Sequence, residues 1–138
     1  GLESLIKGLE FKINYTYQKF NISYDFSLVR GDDLTNGVPL SYINPDKQIF
    51  IIEYQEELMN YKLRLSNIHS QNRLGEFETY TPSSFITDFI ISYNYRNQNI
   101  SFQCNNIFNV EYYNHLSKIK SIMPEFGRNV AISYKILL

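Results

Sequence analysis

The sequence predicts an all-β chain that forms an antiparallel segment of a transmembrane β-barrel, with about seven strands, as part of a larger barrel. Three observations lead to this fold class. Apolar and polar residues alternate with a period of two, the connections between strands alternate between short and long, and Tyr and Phe make up an aromatic content of 16%. A strand with one apolar and one polar face fits a sheet between lipid and a polar lumen.

Seven stretches of the chain carry the alternation. In the first, Leu9, Phe11 and Ile13 point to one side, while Glu10 and Lys12 point to the other. The second follows after a two-residue turn, so we expect the first two to form a hairpin. The predicted strands are Leu9–Gln18, Phe20–Leu28, Gln48–Glu56, Met59–Asn67, Phe85–Tyr95, Asn99–Asn106 and Asn129–Leu138.

The connections between these strands are sorted by length. Outer-membrane barrels have short periplasmic turns and long extracellular loops, whereas a soluble sandwich has no physical reason to sort its loops by side. With the short turns in the periplasm, the last strand runs downward and Leu138 is periplasmic. An aromatic girdle is then expected near that edge. The long segments are Val29–Lys47, Ile68–Ser84 and Ile107–Arg128, and the girdle residues are Tyr15, Tyr17, Phe20, Tyr54, Tyr61, Tyr93 and Tyr95.

Composition excludes several classes of function. Lys and Arg number 13 and Asp and Glu number 14, so the net charge of -1 predicts no nucleic-acid partner. Mean hydropathy is -0.31 and no apolar run reaches about 18 residues, which excludes a transmembrane helix. Cys104 is the only cysteine, so the chain has no intrachain disulfide. No nucleophile and base stand in a catalytic pattern, and we expect neither an enzyme nor a cofactor.

Four segments resemble TonB-dependent outer-membrane receptors. The most specific is NNIFNVEYYNHLSKIKSIMPEFGRN, Asn105–Asn129, which is similar to the penultimate strand and final loop of that family. GLE at Gly8–Glu10, RGDDLTNGVPLSYINP at Arg30–Pro45 and QNRLGEFETYTPSSF at Gln71–Phe85 resemble earlier elements in the same order. Asn44 stands where the family often has the first proline of a pair, a departure that leaves the fold unchanged.

The resemblance implies residues 1–138 are the C-terminal part of a receptor barrel in the bacterial outer membrane. Its expected partners are outer-membrane lipid, the remainder of the barrel, the plug domain and a small-molecule or metal-complex ligand. TonB would engage a missing N-terminal region. Since the plug domain is expected to lie outside this chain, the chain alone should not transport.

Five residues of the long loops are candidates for ligand binding. An imidazole can bind a metal or a metal complex, and a tyrosine ring can stack on an aromatic siderophore or a sugar. Two histidines without close spacing do not make a metal-site pattern, so the metal is unknown. Because His115 belongs to the stretch NHLS that resembles the receptor family, a loop-structuring role is favoured for it. The candidates are His69, Tyr80, Tyr112, Tyr113 and His115.

Seven charged residues lie on the polar faces of the predicted strands. In a barrel they face the lumen, where they can contact the plug or line the passage, whereas on a soluble sandwich they would be solvated. They are Lys12, Asp25, Glu53, Lys62, Arg64, Asp88 and Lys135.

The predicted function is TonB-energised uptake of a scarce nutrient, with iron–siderophore, haem or another metal complex as ligands. The alternative from a different class is a soluble or surface β-sandwich that recognises a glycan or protein. A passive porin-like barrel is a third interpretation.

Overall fold

A computed structural model describes residues 3–136, which form one antiparallel sheet. The strand order is β1-β2-β4-β5-β6-β7-β8, with β3 paired to β2 beside this path, so each long strand pairs with its neighbours in sequence. Within residues 3–136, no helix has the length and apolarity needed to cross a bilayer. The strands are β1 Ser4–Tyr17, β2 Phe20–Asp33, β3 Val38–Pro39, β4 Lys47–Gln55, β5 Met59–Ile68, β6 Ser84–Tyr95, β7 Gln98–Asn105 and β8 Asn129–Ile136.

The register places all the alternating apolar residues on the same face of the sheet. Across four strands, for example, Ile52 is opposite Leu63, Leu63 is opposite Phe89, and Phe89 is opposite Cys104. A slip of one residue in any pair would turn that strand's apolar side chains to the polar face, so the pattern fixes the register. The apolar face is largely exposed in the described chain, with Ile132 75% and Ile13 57% accessible.

Aromatic side chains form a row at the end of the sheet with the short turns. The Phe20 and Tyr54 rings lie 4.7 Å apart, and those of Tyr54 and Tyr61 lie 6.2 Å apart. Tyr93 stacks on Tyr95 at 6.4 Å. These residues are members of the predicted girdle. Phe20, Tyr54 and Tyr61 meet across neighbouring strands, whereas Tyr93 and Tyr95 lie two residues apart on one face of β6.

The first hairpin is longer than the sequence predicts. The prediction starts β1 at Leu9 and ends β2 at Leu28, but the pairing continues from Gly8 opposite Val29 to Ser4 opposite Asp33. The start of the predicted loop Val29–Lys47 is therefore wrong, and the short β3 inside it was not predicted. Gly and Asp are rare in strands, which hid this extension.

Ion pairs with distant residues hold the extended part of β2. Arg30 makes a bidentate pair with Asp46, at 2.5 and 2.7 Å, and Asp32 pairs with Arg73. Both partners lie in later loops, so no local pattern could indicate them. At the other end of the sheet, β8 is described to Ile136; the predicted continuation to Leu138 lies outside the described residues.

Candidate functional site

Three long connections lie at the same end of the sheet, opposite the short turns. We name them L1 (residues 34–46), L2 (residues 69–83) and L3 (residues 106–128). L1 follows β2, L2 follows β5 and L3 follows β7, so each connects two antiparallel strands at the same end of the sheet. Residues 106–128 contain no strand, as the sequence predicts for this loop.

The first turn of L3 is organised by Asn106, which is 2% exposed and has a φ of 50°. Its backbone N–H donates to Asp88 Oδ1 at 2.8 Å. Its side chain donates to the carbonyl of Val110 and accepts from the N–H of Val110, both at 2.8 Å. Asparagine tolerates positive φ and can make both side-chain bonds, which explains the residue at this position.

The end of L3 is attached to its beginning. Arg128 donates its backbone N–H to Asn109 Oδ1 at 2.8 Å, and Asn105 Nδ2 donates to Asn129 Oδ1 at 2.8 Å. A Cβ at Gly127 would lie 2.7 Å from Asn109 Oδ1, so only glycine fits there without displacing that side chain. These contacts therefore join the beginning and the end of the segment Asn105–Asn129 to each other.

Four polar side chains connect L2 to L3, and we call them the loop cluster: Glu78, Thr81, His115 and Lys120. His115 Nε2 lies 3.1 Å from Glu78 Oε1, and Nδ1 lies 2.8 Å from Thr81 Oγ1. Lys120 Nζ lies 2.7 Å from Thr81 Oγ1 and 3.1 Å from His115 Nδ1. The side chain of His115 is fully buried.

L1 joins the same cluster through Glu78. The Glu78 carboxylate accepts the backbone N–H of Tyr42 at 2.7 Å and that of Gly75 at 2.8 Å. Burial opposes ionisation of this group, but these two N–H donors and His115 outweigh burial and hold the pKa of Glu78 below its ordinary value. Gly75 packs directly against the backbone of Ser41, a contact that a side chain would block. The ionised carboxylate of Glu78 therefore contacts L1 through Tyr42, L2 through Gly75 and L3 through His115.

A cavity of about 650 Å³ lies beneath L3, against the polar face of the sheet. Its wall includes Arg64 and Lys47, and L3 covers it with Tyr112 and Tyr113. His115 also borders the cavity. Carboxylates are present as well, since Glu10, Asp88 and Glu125 are in the lining.

The Arg64 side chain has an unused hydrogen-bonding atom in this wall. Its Nε is buried and has no hydrogen-bond partner within the described part of the chain. Asp88 is directly opposite Arg64 in the register, but Oδ1 of Asp88 accepts from the Asn106 N–H at 2.8 Å. A guanidinium N–H left without an acceptor is costly in a dry wall, and a ligand or water oxygen could satisfy it.

The five loop candidates are divided by the structure. Tyr112, Tyr113 and His115 border the cavity, whereas His69 and Tyr80 do not. His69 is exposed and contacts Asn67, with 3.3 Å between Nε2 and Nδ2. The two histidines therefore have different neighbours, and among residues 3–136 no group of three or more His, Cys, Asp or Glu side chains could hold a metal ion.

The seven charged candidates share the polar face, as the alternation predicts. Two pairs of them form cross-strand ion pairs, Lys12 with Asp25 at 3.3 Å and Lys62 with Glu53 at 2.6 Å. Arg64 and Asp88 border the cavity. Lys135 on β8 pairs with Asn99 of β7, near the end of the sheet that carries the short turns.

Sequence reasoning missed Glu78, Lys120 and Asn106. The available signal was that the segments Gln71–Phe85 and Asn105–Asn129 both resemble parts of one receptor family. The structure shows that the two segments contact each other through the loop cluster. Neither segment alone indicates that contact.

Comparison with known proteins shows which known fold the sheet resembles. No protein-family model and no curated protein sequence matches the chain. A solved structure of the copper transporter OprC superposes with a TM-score of 0.93, at 18% sequence identity over 98% of this chain. The chain spans 24% of the length of that structure. The open eight-stranded sheet is therefore a fragment of an outer-membrane type of barrel.

Proposed function

We propose that the chain is the C-terminal wall segment, with three outer loops, of a TonB-dependent receptor in the bacterial outer membrane. The receptor takes up a scarce nutrient as a metal complex, with iron–siderophore, haem or a copper or zinc species as the leading classes. The plug domain and the TonB-binding region belong to the remainder of the receptor. The name of the neighbour, a copper transporter, supports a metal-related cargo.

One observation carries this proposal: the cavity lies between the polar face and L3, at the end where all three long loops meet. A receptor needs a site that faces outward and opens into the barrel lumen, and this position supplies one. Arg64 and Lys47 can pair with anionic groups of a chelate, beside the three carboxylates of the same lining. Tyr112 and Tyr113 provide rings and hydroxyls above it.

The soluble sandwich has less support. A sandwich needs a second sheet to cover the apolar face. Residues 3–136 form a single sheet whose apolar face includes Ile13, Ile132 and Tyr134 at more than half exposure. Lipid is the simplest cover for a face of this size.

The test is uptake by cells that lack the gene and carry the full-length receptor on a plasmid. Radiolabelled ferric citrate, a ferric tricatecholate, haem and copper are supplied under metal starvation. We expect uptake of at least one probe, dependent on TonB. Arg64→Gln should weaken binding of an anionic probe by about tenfold or more, because one charge-assisted hydrogen bond contributes roughly 1.5–3 kcal/mol.

Lys135→Gln is the matched control. It removes one positive charge from the same face but lies far from the cavity, so binding should be unchanged. Equal amounts of receptor in the outer-membrane fraction are required for each variant. No TonB-dependent uptake of any probe, or recovery of the receptor as a soluble monomer, would contradict the proposal.

A further inference from the structure

Both ring nitrogens of His115 face charged or polar groups of the protein. Glu78 lies 3.1 Å from Nε2, while Lys120 lies 3.1 Å from Nδ1 and Thr81 lies 2.8 Å from it. Exposure of the His115 side chain is 0% and that of Glu78 is 6%. A change in the protonation state of His115 must therefore alter a contact between L2 and L3.

The contacts assign the neutral tautomer. An ammonium group can only donate, so Nδ1 offers its lone pair on the side of Lys120. The proton of the neutral ring then lies on Nε2, where it faces the ionised Glu78. In this state the uncharged ring lies between a cation and an anion, with Nε2 at 3.1 Å from Glu78 Oε1 but outside hydrogen-bond geometry.

Protonation of His115 would put a second N–H on Nδ1. That nitrogen would lose its acceptor function and would face the Lys120 ammonium as a like charge at 3.1 Å. Glu78 attracts the protonated ring and opposes this effect. Burial, and then Lys120, outweigh Glu78, so the pKa of His115 in the folded loops is below its ordinary value of 6.5.

The direction of the pH effect follows from linkage. A His115 released into water binds a proton more tightly than His115 inside the cluster. The contact between L2 and L3 is therefore fully stabilised above the ordinary pKa of 6.5 and weakens as the pH falls below it. Glu78 stays ionised in this range, because its pKa lies below its ordinary value of 4.5.

We propose that His115 is a pH-dependent latch that holds L3 on L2 over the cavity when neutral and releases it when protonated. The inference rests on the proposed function only for the purpose of the latch, which is to open the ligand site when the pH falls. The remaining contacts of Lys120, with the Thr79 carbonyl at 2.6 Å and Thr81 Oγ1 at 2.7 Å, make Lys120 the second half of the latch.

The test is hydrogen–deuterium exchange on the ligand-free, full-length receptor in detergent, with rates corrected for the chemical effect of pH. Peptides from L2 and L3 should exchange about fivefold faster at about pH 5.5 than at about pH 7.5, the lower end of usual coupling. His115→Gln should remove this step. His69→Gln, which changes the exposed histidine of L2, should keep it.

A second variant keeps the test decisive if His115→Gln loosens the loops at every pH. Lys120→Met removes the like charge that lowers the pKa of His115, so the pH step should become smaller, through slower exchange at the acidic pH rather than faster exchange at the neutral pH. A wild-type receptor without a pH step, a step that survives in His115→Gln, or an undiminished step in Lys120→Met would each overturn the latch. Since no ligand is present, a failure of the uptake test leaves these readouts unaffected.

Discussion

Asn106 shows how one side chain can set the course of a long loop. Its positive φ turns the chain out of β7, and its amide closes a ring of two hydrogen bonds with Val110. Nδ2 also lies 3.4 Å from the carbonyl of Phe126, at the far end of L3. The residue therefore connects both ends of the loop that covers the cavity.

Asn106→Ala should open L3 locally without unfolding the sheet. The change leaves the partly buried N–H and carbonyl of Val110 without these partners, a cost of roughly 1–3 kcal/mol. Limited trypsin digestion of the folded receptor should cut after Lys118 or Lys120 about tenfold faster than in the wild type. Asn94→Ala, in the turn region at the opposite end, is the control. Equal cleavage rates in the two variants would contradict this role.

The sequence indicates part of the cavity lining, whereas a binding role for those residues stays a prediction. Tyr112, Tyr113 and His115 are candidates because a tyrosine ring can stack on a ligand and an imidazole can bind a metal, and all three border the cavity. Glu78 and Lys120 read as ordinary loop charges. Glu78 contacts His115 of another loop, and Lys120 contacts Thr81 at a separation of 39 residues, so local sequence spacing carries no information about either contact.

At the scale of the strand, alternation was the dependable signal. It predicted seven strands and their faces, because a sheet between two different environments must present one kind of residue to each. The predicted second strand ends too early, at Leu28, because Gly31, Asp32 and Asp33 are of residue types that are rare in strands. The extension of β2 to Asp33 depends on ion pairs with Asp46 and Arg73, which lie in other loops.

The two faces of β7 should respond differently to one and the same substitution. Phe102 lies on the apolar face, opposite Ile91 and Ile132, and its neighbour Ser101 lies on the polar face. Phe102→Arg should lower the free energy of unfolding by about 2–4 kcal/mol in lipid vesicles, because arginine would enter hydrocarbon.

Ser101→Arg should cost about 1 kcal/mol, the value of its hydrogen bond with Ser133. Urea titration of both variants in the full-length receptor provides the comparison. Similar losses of stability in the two variants would contradict the assignment of the faces.

On the scale of the molecule, the described sheet is open at both edges. Within residues 3–136, β1 pairs only with β2, and β8 pairs only with β7. In the proposed outer-membrane receptor these edges would need further strands, because an unpaired backbone group in hydrocarbon costs several kcal/mol.

The 138-residue chain expressed alone should therefore fail to form a stable barrel. Refolded into detergent, it should give no heat-modifiable band on a denaturing gel, whereas the full-length receptor should give one. A compact, heat-modifiable monomer from the short chain would show that its two edges can close on each other.

The meander order has a consequence for assembly. Since every long strand pairs with its neighbour in sequence, most backbone pairing is local, and the entropy lost on closing each hairpin is small. Hairpins can then be added one after another to a growing edge, without waiting for distant segments to arrive. The contacts among L1, L2 and L3 join hairpins that are separate along the chain, so they form only after the wall beneath them. L1, L2 and L3 are thus the last part of the described chain to reach their final contacts.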